Sequence, residues 1–472
     1  MSAGEVKTRG GVNPDFESFE SDFEQIDSVL EGENTSKELL VSTKEDLVDN
    51  FIYTEVLKKV ASEVIESLEQ EIGITNDEEM VEEIKNGGRH GQGQLYERIL
   101  KLAVDADNHG HDQAIENSIF EDKVEASDAF SIDYILRGGK RLRPFMTLLT
   151  EFGLEGETSY KGAMVGAAQE IIHASSLEHD DDMDDDVLRR GKLTTERVNR
   201  ALYGEDSWKQ SVLDGNKVEA WGNEAINSIV NDSYEQFNGI PKTASQIFFQ
   251  MEADLNDGQK RDIDMEDMQL REASIDDYEQ MIAGKTGALF KSGVDIMVED
   301  HLRDSQYEET ERRQIRGLFD EYMTNFNRLF QAGDDAIEVF RPENTGKSIT
   351  DIENRKITFP ALQTEEALRQ EEEEYAELFL DVFDGAYDEV TEEMQETAEE
   401  MGVEIGQAQD WENQWLTTVI NEYGEEASNE KAGEYLDTAF GAVDELYDMD
   451  LINEEACQKY RQMAEFVWNR DH

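Results

Sequence analysis

The sequence predicts an all-α protein, and three observations carry that prediction. Apolar residues recur about every four positions over long stretches, the spacing of a helix that buries one face. No stretch alternates apolar and polar residues as a half-buried strand would. Only five prolines interrupt 472 residues, and long proline-free stretches favour long helices.

Residues 1–50 are polar, acidic and weakly periodic, and read as a flexible extension. From Phe51 the pattern changes: Ile52, Val56, Val60, Val64, Leu68 and Ile72 fall on one face of an amphipathic helix. Residues 76–93 are acidic, then contain Gly and His, and read as a loop. Helical periodicity resumes at Leu95, Ile99, Leu102 and Val104 and runs nearly to the C-terminus. The acidic stretch EEALRQEEEEYAELF at 365–379 fits a solvated helix face. No internal repeat is evident. The expected organisation is an acidic N-terminal extension over 1–90, partly flexible with one amphipathic helix, and a single all-α domain over 91–472.

Charge narrows the setting. Asp and Glu number 111 against 43 Lys and Arg, a formal net charge of −68. Self-repulsion of that size opposes a compact state unless it is screened. At molar salt the Debye length falls to about 3 Å and the repulsion largely disappears. Disorder is the other outcome for an acidic chain, but 38% hydrophobic and 9% aromatic residues supply a sizeable core. The composition therefore points to a folded protein adapted to concentrated salt. Cys457 stands alone, which excludes an intramolecular disulfide and a cysteine-rich metal site. The opening MSAGEVKTRGGVNP lacks the apolar core of a signal peptide, and no apolar run approaches the roughly 18 residues of a membrane span. A soluble, cytoplasmic protein is expected. Nucleic acid and anionic lipid, both negative, are not expected partners.

In this background acidic clusters mean little alone. With acids at this frequency, an acid-acid-x-x-acid pattern arises by chance about six times. The scarce basic residues are more telling. Arg137, Lys140, Arg141 and Arg143 gather in LRGGKRLRPF, and Arg189, Arg190 and Lys192 directly follow the aspartates of HDDDMDDD at 179–186. Positive charge beside a carboxylate cluster suits a polyanion held jointly by cations and carboxylate-bound metal. Asp180, Asp181 and Asp184 have DDxxD spacing, and on a helix Asp180 and Asp184 share a face one turn apart. His173 lies two turns earlier on that face. Downstream, FQAGDDAIE at 330–338 supplies Asp334, Asp335 and Glu338. Two carboxylate helices facing one another across a helical bundle could hold several Mg²⁺ ions for a diphosphate.

Five segments in order now resemble one family: GGKRLRP (138–144), EIIHASSLEHDDDMDDDVLRRG (170–191), GKTGALF (284–290), FQAGDDAIE (330–338) and GKSITDIENRKITFP (346–360). The chain resembles the trans-isoprenyl diphosphate synthases, or polyprenyl synthetases, and its acidity suggests a halophilic archaeal type. The tail, ending in EFVWNRDH, resembles the family's last helix more weakly. The resemblance implies a helical bundle around a deep central cavity, a homodimer, and Mg²⁺ on the order of three ions per site. It implies that Lys140, Arg143, His173 and Arg190 bind isopentenyl diphosphate. Asp180, Asp181, Asp184, Asp334 and Asp335 would be Mg²⁺ ligands for an allylic diphosphate, with Glu338 at a position usually Asp. Arg189, Lys285 and Lys347 would contact that leaving group, and Thr286 and Gln331 would lie beside the reacting carbons.

The implied reaction adds isopentenyl diphosphate to an allylic diphosphate. Small Ser175 and Ser176, five and four positions before Asp180, imply a product of C20 or longer, because bulky side chains there would close the elongation tunnel. A phenylalanine at 175 is expected to project into that tunnel and shorten the product. Three departures stand out: Glu338 for Asp, Glu178 at a usually apolar position, and Ile349 at a usual glycine. Two alternatives share the fold. A terpene synthase does not bind a second diphosphate, so intact GGKRLRP and RRG argue against it. Retention of both basic clusters also argues against a weakly active regulatory subunit of a heteromer.

Screening by salt gives the first test. Circular dichroism should show helix lost on dilution from molar salt into dilute buffer, and a fully helical protein at low ionic strength would refute salt adaptation.

Overall fold

The computed structural model describes residues 123–136, 141–156, 158, 160–189, 192–204, 207–232, 244–303, 307–341, 350–371, 373–385 and 411–469. The expected N-terminal extension with its amphipathic helix lies outside them, as do Lys140, Arg190 and Lys347.

The described residues are overwhelmingly helical, as the periodicity predicts. In chain order the elements begin with α1 (Lys123–Leu136), α2 (Leu142–Glu155) and α3 (Tyr160–Met183). Strands β1 (Leu188–Arg189) and β2 (Lys192–Leu193) precede α4 (Thr195–Tyr203), α5 (Ser207–Asp232), α6 (Ala244–Glu266) and α7 (Ile275–Ile282). A π-helical turn over Ala283–Gly287 leads into α8 (Ala288–Arg303), α9 (Glu309–Phe340) and the short α10 (Thr350–Glu353). Then come α11 (Phe359–Glu371), α12 (Glu373–Phe383), α13 (Trp411–Val419), a second π-turn (Ile420–Gly424), α14 (Glu425–Asp448) and α15 (Glu454–Asn469). The antiparallel hairpin pairs Leu188 with Leu193 and Arg189 with Lys192. Two-residue strands are too short to leave an alternating pattern, so sequence periodicity misses them.

Two compact units are formed, one from Met1–Arg141 with Ala167–Ser228, the other from Leu142–Gly166 with Ile229–His472. In the first, apolar side chains of α1, α3, α4 and α5, among them Phe130, Ile172, Val198 and Val218, are buried. A polar knot ties three of these helices: Ser127 of α1 and Asn199 of α4 both donate to Asp214 of α5, the latter at 2.7 Å. Burial raises the Asp214 pKa, and these two donors work against that rise. Such buried groups keep their desolvation cost small only while every partner is present.

The second unit is built on α9. Phe319, Tyr322 and Phe326 are buried along it, and the Tyr322 ring meets Tyr460 of α15 edge-on at 4.8 Å. The Tyr322 hydroxyl donates to Tyr460 O at 2.7 Å, and the Tyr460 hydroxyl lies 2.8 Å from Thr150 Oγ1 on α2. Each large apolar side chain buried here stabilises by about 1.5–3 kcal/mol. Gly333 lies where a Cβ would meet Val467 O of α15 at 2.4 Å, so the helix backbones touch beside the second acidic segment. Similarly, α6 runs directly against the first π-turn: a Cβ on Gly258 would lie 2.0 Å from Lys285 N.

That contact sets a clear expectation. Gly258→Ala must push backbone against backbone and should destabilise by about 1–3 kcal/mol in thermal melts at high salt. Gly317→Ala, also in a helix but with nothing within 4 Å of the added Cβ, should be neutral or slightly stabilising.

Candidate active site

The first acidic segment closes α3. Asp184 N donates to Asp180 O at 2.9 Å, and Asp186 N reaches Asp181 O at 2.9 Å across Asp185, whose φ is +54°. This is a helix end terminated by a left-handed residue, with Asp where Gly is usual. Six aspartates, at 180–182 and 184–186, therefore crowd the end of the helix where the macrodipole already places negative charge. The hairpin carries one cation back to them. Arg189 Nε donates to Asp181 Oδ1 at 2.6 Å, and its Nη2 lies 3.2 Å from Asp186 and 3.9 Å from Asp180. Burial disfavours the Arg189 charge, but Asp181 outweighs it and the guanidinium pKa is raised.

The three aspartates of the DDxxD pattern are not equivalent. Asp181 has no exposed surface and accepts from the Tyr134 hydroxyl of α1 as well as from Arg189. Burial pushes its pKa up, with Arg189 and Tyr134 opposing. Asp180 is partly exposed and Asp184 exposed. Upstream on α3, His173 is partly exposed, and its carbonyl accepts from Ser176 Oγ at 2.9 Å. Ser175 differs from expectation. It is buried, and its hydroxyl donates to Gly215 O of α5 at 2.8 Å, so it faces a packed neighbouring helix. A phenyl ring at 175 would displace α5. Of the two serines, Ser176 is the one left partly exposed.

The second acidic segment sits in the last turns of α9 and divides the same way. Asp335 is buried and accepts three hydrogen bonds: from the Tyr278 hydroxyl of α7 at 2.7 Å, from Phe359 N at 3.0 Å, and from Gln331 Nε2 at 3.0 Å. Burial raises its pKa, and the three donors oppose that rise. Asp334 and Glu338, one position before and three after, are both partly exposed. Thr286, in the first π-turn, donates to Gln331 Oε1 at 3.1 Å. The structure thus joins Thr286, Gln331 and Asp335 in one network, and both polar ends of the Gln331 amide are engaged. π-turns recur at functional sites.

Sequence reasoning does not single out Asp351, a partly buried acid near Asp335 and Glu338, although it stands within GKSITDIENRKITFP. Burial pushes its carboxyl up to about 7; Lys356 opposes this, while Asp335, Glu338 and a hydrogen bond shared with Glu338 add to it. One signal was available: it lies four residues after Lys347 in a matched segment. A carboxyl pushed up by neighbouring acids marks a place where a cation is favoured.

The basic residues have settled partners. The Arg143 guanidinium lies over the Phe290 ring at 4.7 Å, and that ring packs on Phe330 at 5.0 Å, just before Gln331. Arg141, by contrast, is buried in an ion pair with Glu170, so it is a structural member of the basic cluster. Lys285 donates to the buried Asp262 of α6. Glu178, at a usually apolar position, is fully buried.

Among the described residues no three acidic, His or Cys side chains converge on one point. Mg²⁺ is usually held by one or two carboxylates together with phosphate oxygens. The Asp180/Asp184 and Asp334/Glu338 pairs, each one helical turn apart, fit that chemistry.

Comparison with known proteins identifies the family. The profile of the family described as polyprenyl synthetase matches residues 129–401. The chain belongs to the polyprenyl synthetase family. It is 30% identical over 259 residues to the farnesyl diphosphate synthase of Bacillus subtilis (strain 168), covering 53% of this chain and 81% of that protein. It is 32% identical over 249 residues to the geranylfarnesyl diphosphate synthase of Aeropyrum pernix, covering 51% of this chain and 70% of that protein. The fold is that of a geranylgeranyl pyrophosphate synthase from Corynebacterium glutamicum solved with isoprenyl diphosphate and magnesium, with a TM-score of 0.54 and 19% identity, covering 80% of this chain and 98% of that one. Polyprenyl synthetase members are all-α, Mg²⁺-dependent transferases, in keeping with the helices described here. No helix among the described residues is long and apolar enough to cross a membrane.

Proposed function

We propose that this chain is a trans-prenyltransferase that condenses isopentenyl diphosphate with an allylic diphosphate to a polyprenyl diphosphate of C20 or longer. The observation that carries this reading is the Thr286–Gln331–Asp335 network beside the Asp334/Glu338 pair, within a chain of the polyprenyl synthetase family. Matched relatives named farnesyl and geranylfarnesyl synthases bracket a C20 product.

Mg²⁺, about three ions per site when bound, neutralises the allylic diphosphate and stabilises charge on it as it leaves. Asp180, Asp184, Asp334 and Glu338 are the carboxylates assigned to it. Arg189, Lys285 and Lys347 contact the departing diphosphate. For Arg189 and Lys285 this means exchanging the carboxylates of Asp181 and Asp262 for phosphate oxygens, a change between two charge-assisted partners. Lys140, Arg143, His173 and Arg190 hold isopentenyl diphosphate, with Phe290 keeping the Arg143 guanidinium in one plane. The allylic C–O bond breaks with both electrons going to diphosphate, the double bond of isopentenyl diphosphate attacks the allylic carbon, and a proton passes to the released diphosphate. Thr286 and Gln331 are assigned to positions beside the reacting carbons, and their mutual hydrogen bond supports this by orienting both before charge develops.

The enzyme is proposed to be cytoplasmic, salt-adapted and homodimeric. Trp208, Val212 and Leu213 form an exposed apolar stripe on α5, 55%, 36% and 59% exposed. A second copy is a natural cover for such a stripe.

Excess chelator should abolish turnover, and Asp180→Ala or Asp334→Ala should lower kcat at least about a hundredfold with helical content retained. Turnover that persists in chelator would overturn the assignment. Product length is tested by chromatographic sizing at fixed primer and salt. Ser176→Phe should shorten the products, whereas Ser175→Phe should chiefly lower the melting temperature because it meets α5. An unchanged distribution in Ser176→Phe would remove that residue from the tunnel.

A further inference from the structure

The two acidic segments repeat one arrangement that their sequences do not announce. In each, the second of the adjacent aspartates, of three in the first segment and of two in the other, is turned inward and receives a tyrosine hydroxyl from another helix of its own unit. Tyr134 of α1 donates to Asp181 of α3, and Tyr278 of α7 donates to Asp335 of α9 at 2.7 Å. Both tyrosines are 2% exposed, and Asp181 and Asp335 are 0% and 9% exposed. The residues one before and three after each inward aspartate are Asp180 and Asp184, and Asp334 and Glu338.

Helical geometry gives this repetition a meaning. Positions one before and three after a given residue are four apart and stack on one stripe, while the residue itself lies about 100° round the helix. Anchoring the inward aspartate to a neighbouring helix therefore fixes the rotation of its own helix. That rotation decides where the carboxylate stripe points. Coordination of Mg²⁺ demands near-ideal octahedral geometry, so a helix free to turn would present its ligands poorly. A phenol is suited to the anchoring role, since it brings a donor without adding charge to an already crowded carboxylate cluster.

We propose that Tyr134 and Tyr278 are positioning residues, one for each acidic segment, which hold Asp181 and Asp335 inward so that Asp180/Asp184 and Asp334/Glu338 present their carboxylates to the metal–diphosphate. This rests on the magnesium reading given above. Asp181 and Asp335 then act as anchors, and the outer four carboxylates as ligands. Partners that orient a metal ligand without touching the metal commonly contribute about 10–100-fold to metal affinity.

The test is equilibrium binding of Mn²⁺, followed by electron paramagnetic resonance on the full chain at high salt with inorganic diphosphate present. Tyr134→Phe and Tyr278→Phe each remove a single hydroxyl. Each should weaken Mn²⁺ binding about tenfold and raise the Mg²⁺ concentration for half-maximal turnover, with KM for isopentenyl diphosphate unchanged. Tyr322→Phe, which removes a buried hydroxyl bonded to Tyr460 O, should leave Mn²⁺ binding unaltered. If it weakens binding equally, the tyrosine effect is general stability and the inference fails. Asp181→Asn and Asp335→Asn give a second route that keeps an acceptor for each phenol. They should retain Mn²⁺ binding within about tenfold, while Asp180→Asn and Asp334→Asn lose it about a hundredfold or more. Equal losses at all four positions would overturn the division into anchors and ligands. Failure of the wild type to bind Mn²⁺ with diphosphate would instead overturn the magnesium reading itself, and this inference with it. Wild-type binding that both Tyr→Phe variants preserve would overturn this inference alone.

Discussion

Asp335 accepts hydrogen bonds from Tyr278, Gln331 and the backbone of Phe359, and so ties α7, the end of α9 and the start of α11 to one carboxylate. Removed from water, that carboxylate is costly unless its lone pairs are filled, and three donors fill them. The Phe359 ring then packs near Tyr278, Tyr435 and Trp468, at 6.1, 6.2 and 6.4 Å between centroids. The polar anchor and the aromatic packing fix the same point of the chain. Gln331, held by Asp335 on one side and Thr286 on the other, inherits its orientation from this arrangement. Much of the second unit's chemistry thus follows from a single buried acid that does not itself face outward.

Electrostatics sets the opposite demand. Aspartates gathered at the carbonyl end of α3 repel one another and the helix dipole, and burial, with Asp335 and Glu338 nearby, pushes the Asp351 carboxyl up to about 7. A fold selected only for stability would disperse such charge. Its concentration, with Arg189 turned back on it by a two-residue hairpin, supports the proposed binding of cations and a polyanion.

Close backbone contacts supply the rigidity these charges need. Gly258 lets α6 rest on the π-turn that carries Lys285 and Thr286, and Gly333 lets α15 rest on α9 beside Asp334. Each contact places a side chain of the proposed site on backbone that has little room to shift. Precision of this kind matters because a displacement of about 1 Å in a preorganised site can cost about a hundredfold in rate.

The sequence by itself determined the helical class, the five ordered segments and the residue types available to bind metal and diphosphate. These are properties of local spacing and of side-chain chemistry, and both are written in the order of residues. It did not reveal the hairpin that returns Arg189, because two paired residues leave no periodic trace. Nor did it distinguish Asp181 from Asp180, or Asp335 from Asp334, since adjacent aspartates are chemically identical until a neighbouring helix buries one of them. Ser175 packs where its spacing suggests open space, for the same reason: its facing residue, Gly215, is forty positions away in the chain. Spacing along a helix says which side chains share a stripe. Only the packing of other helices, through contacts between residues far apart in sequence, decided which stripe is core and which is left to bind.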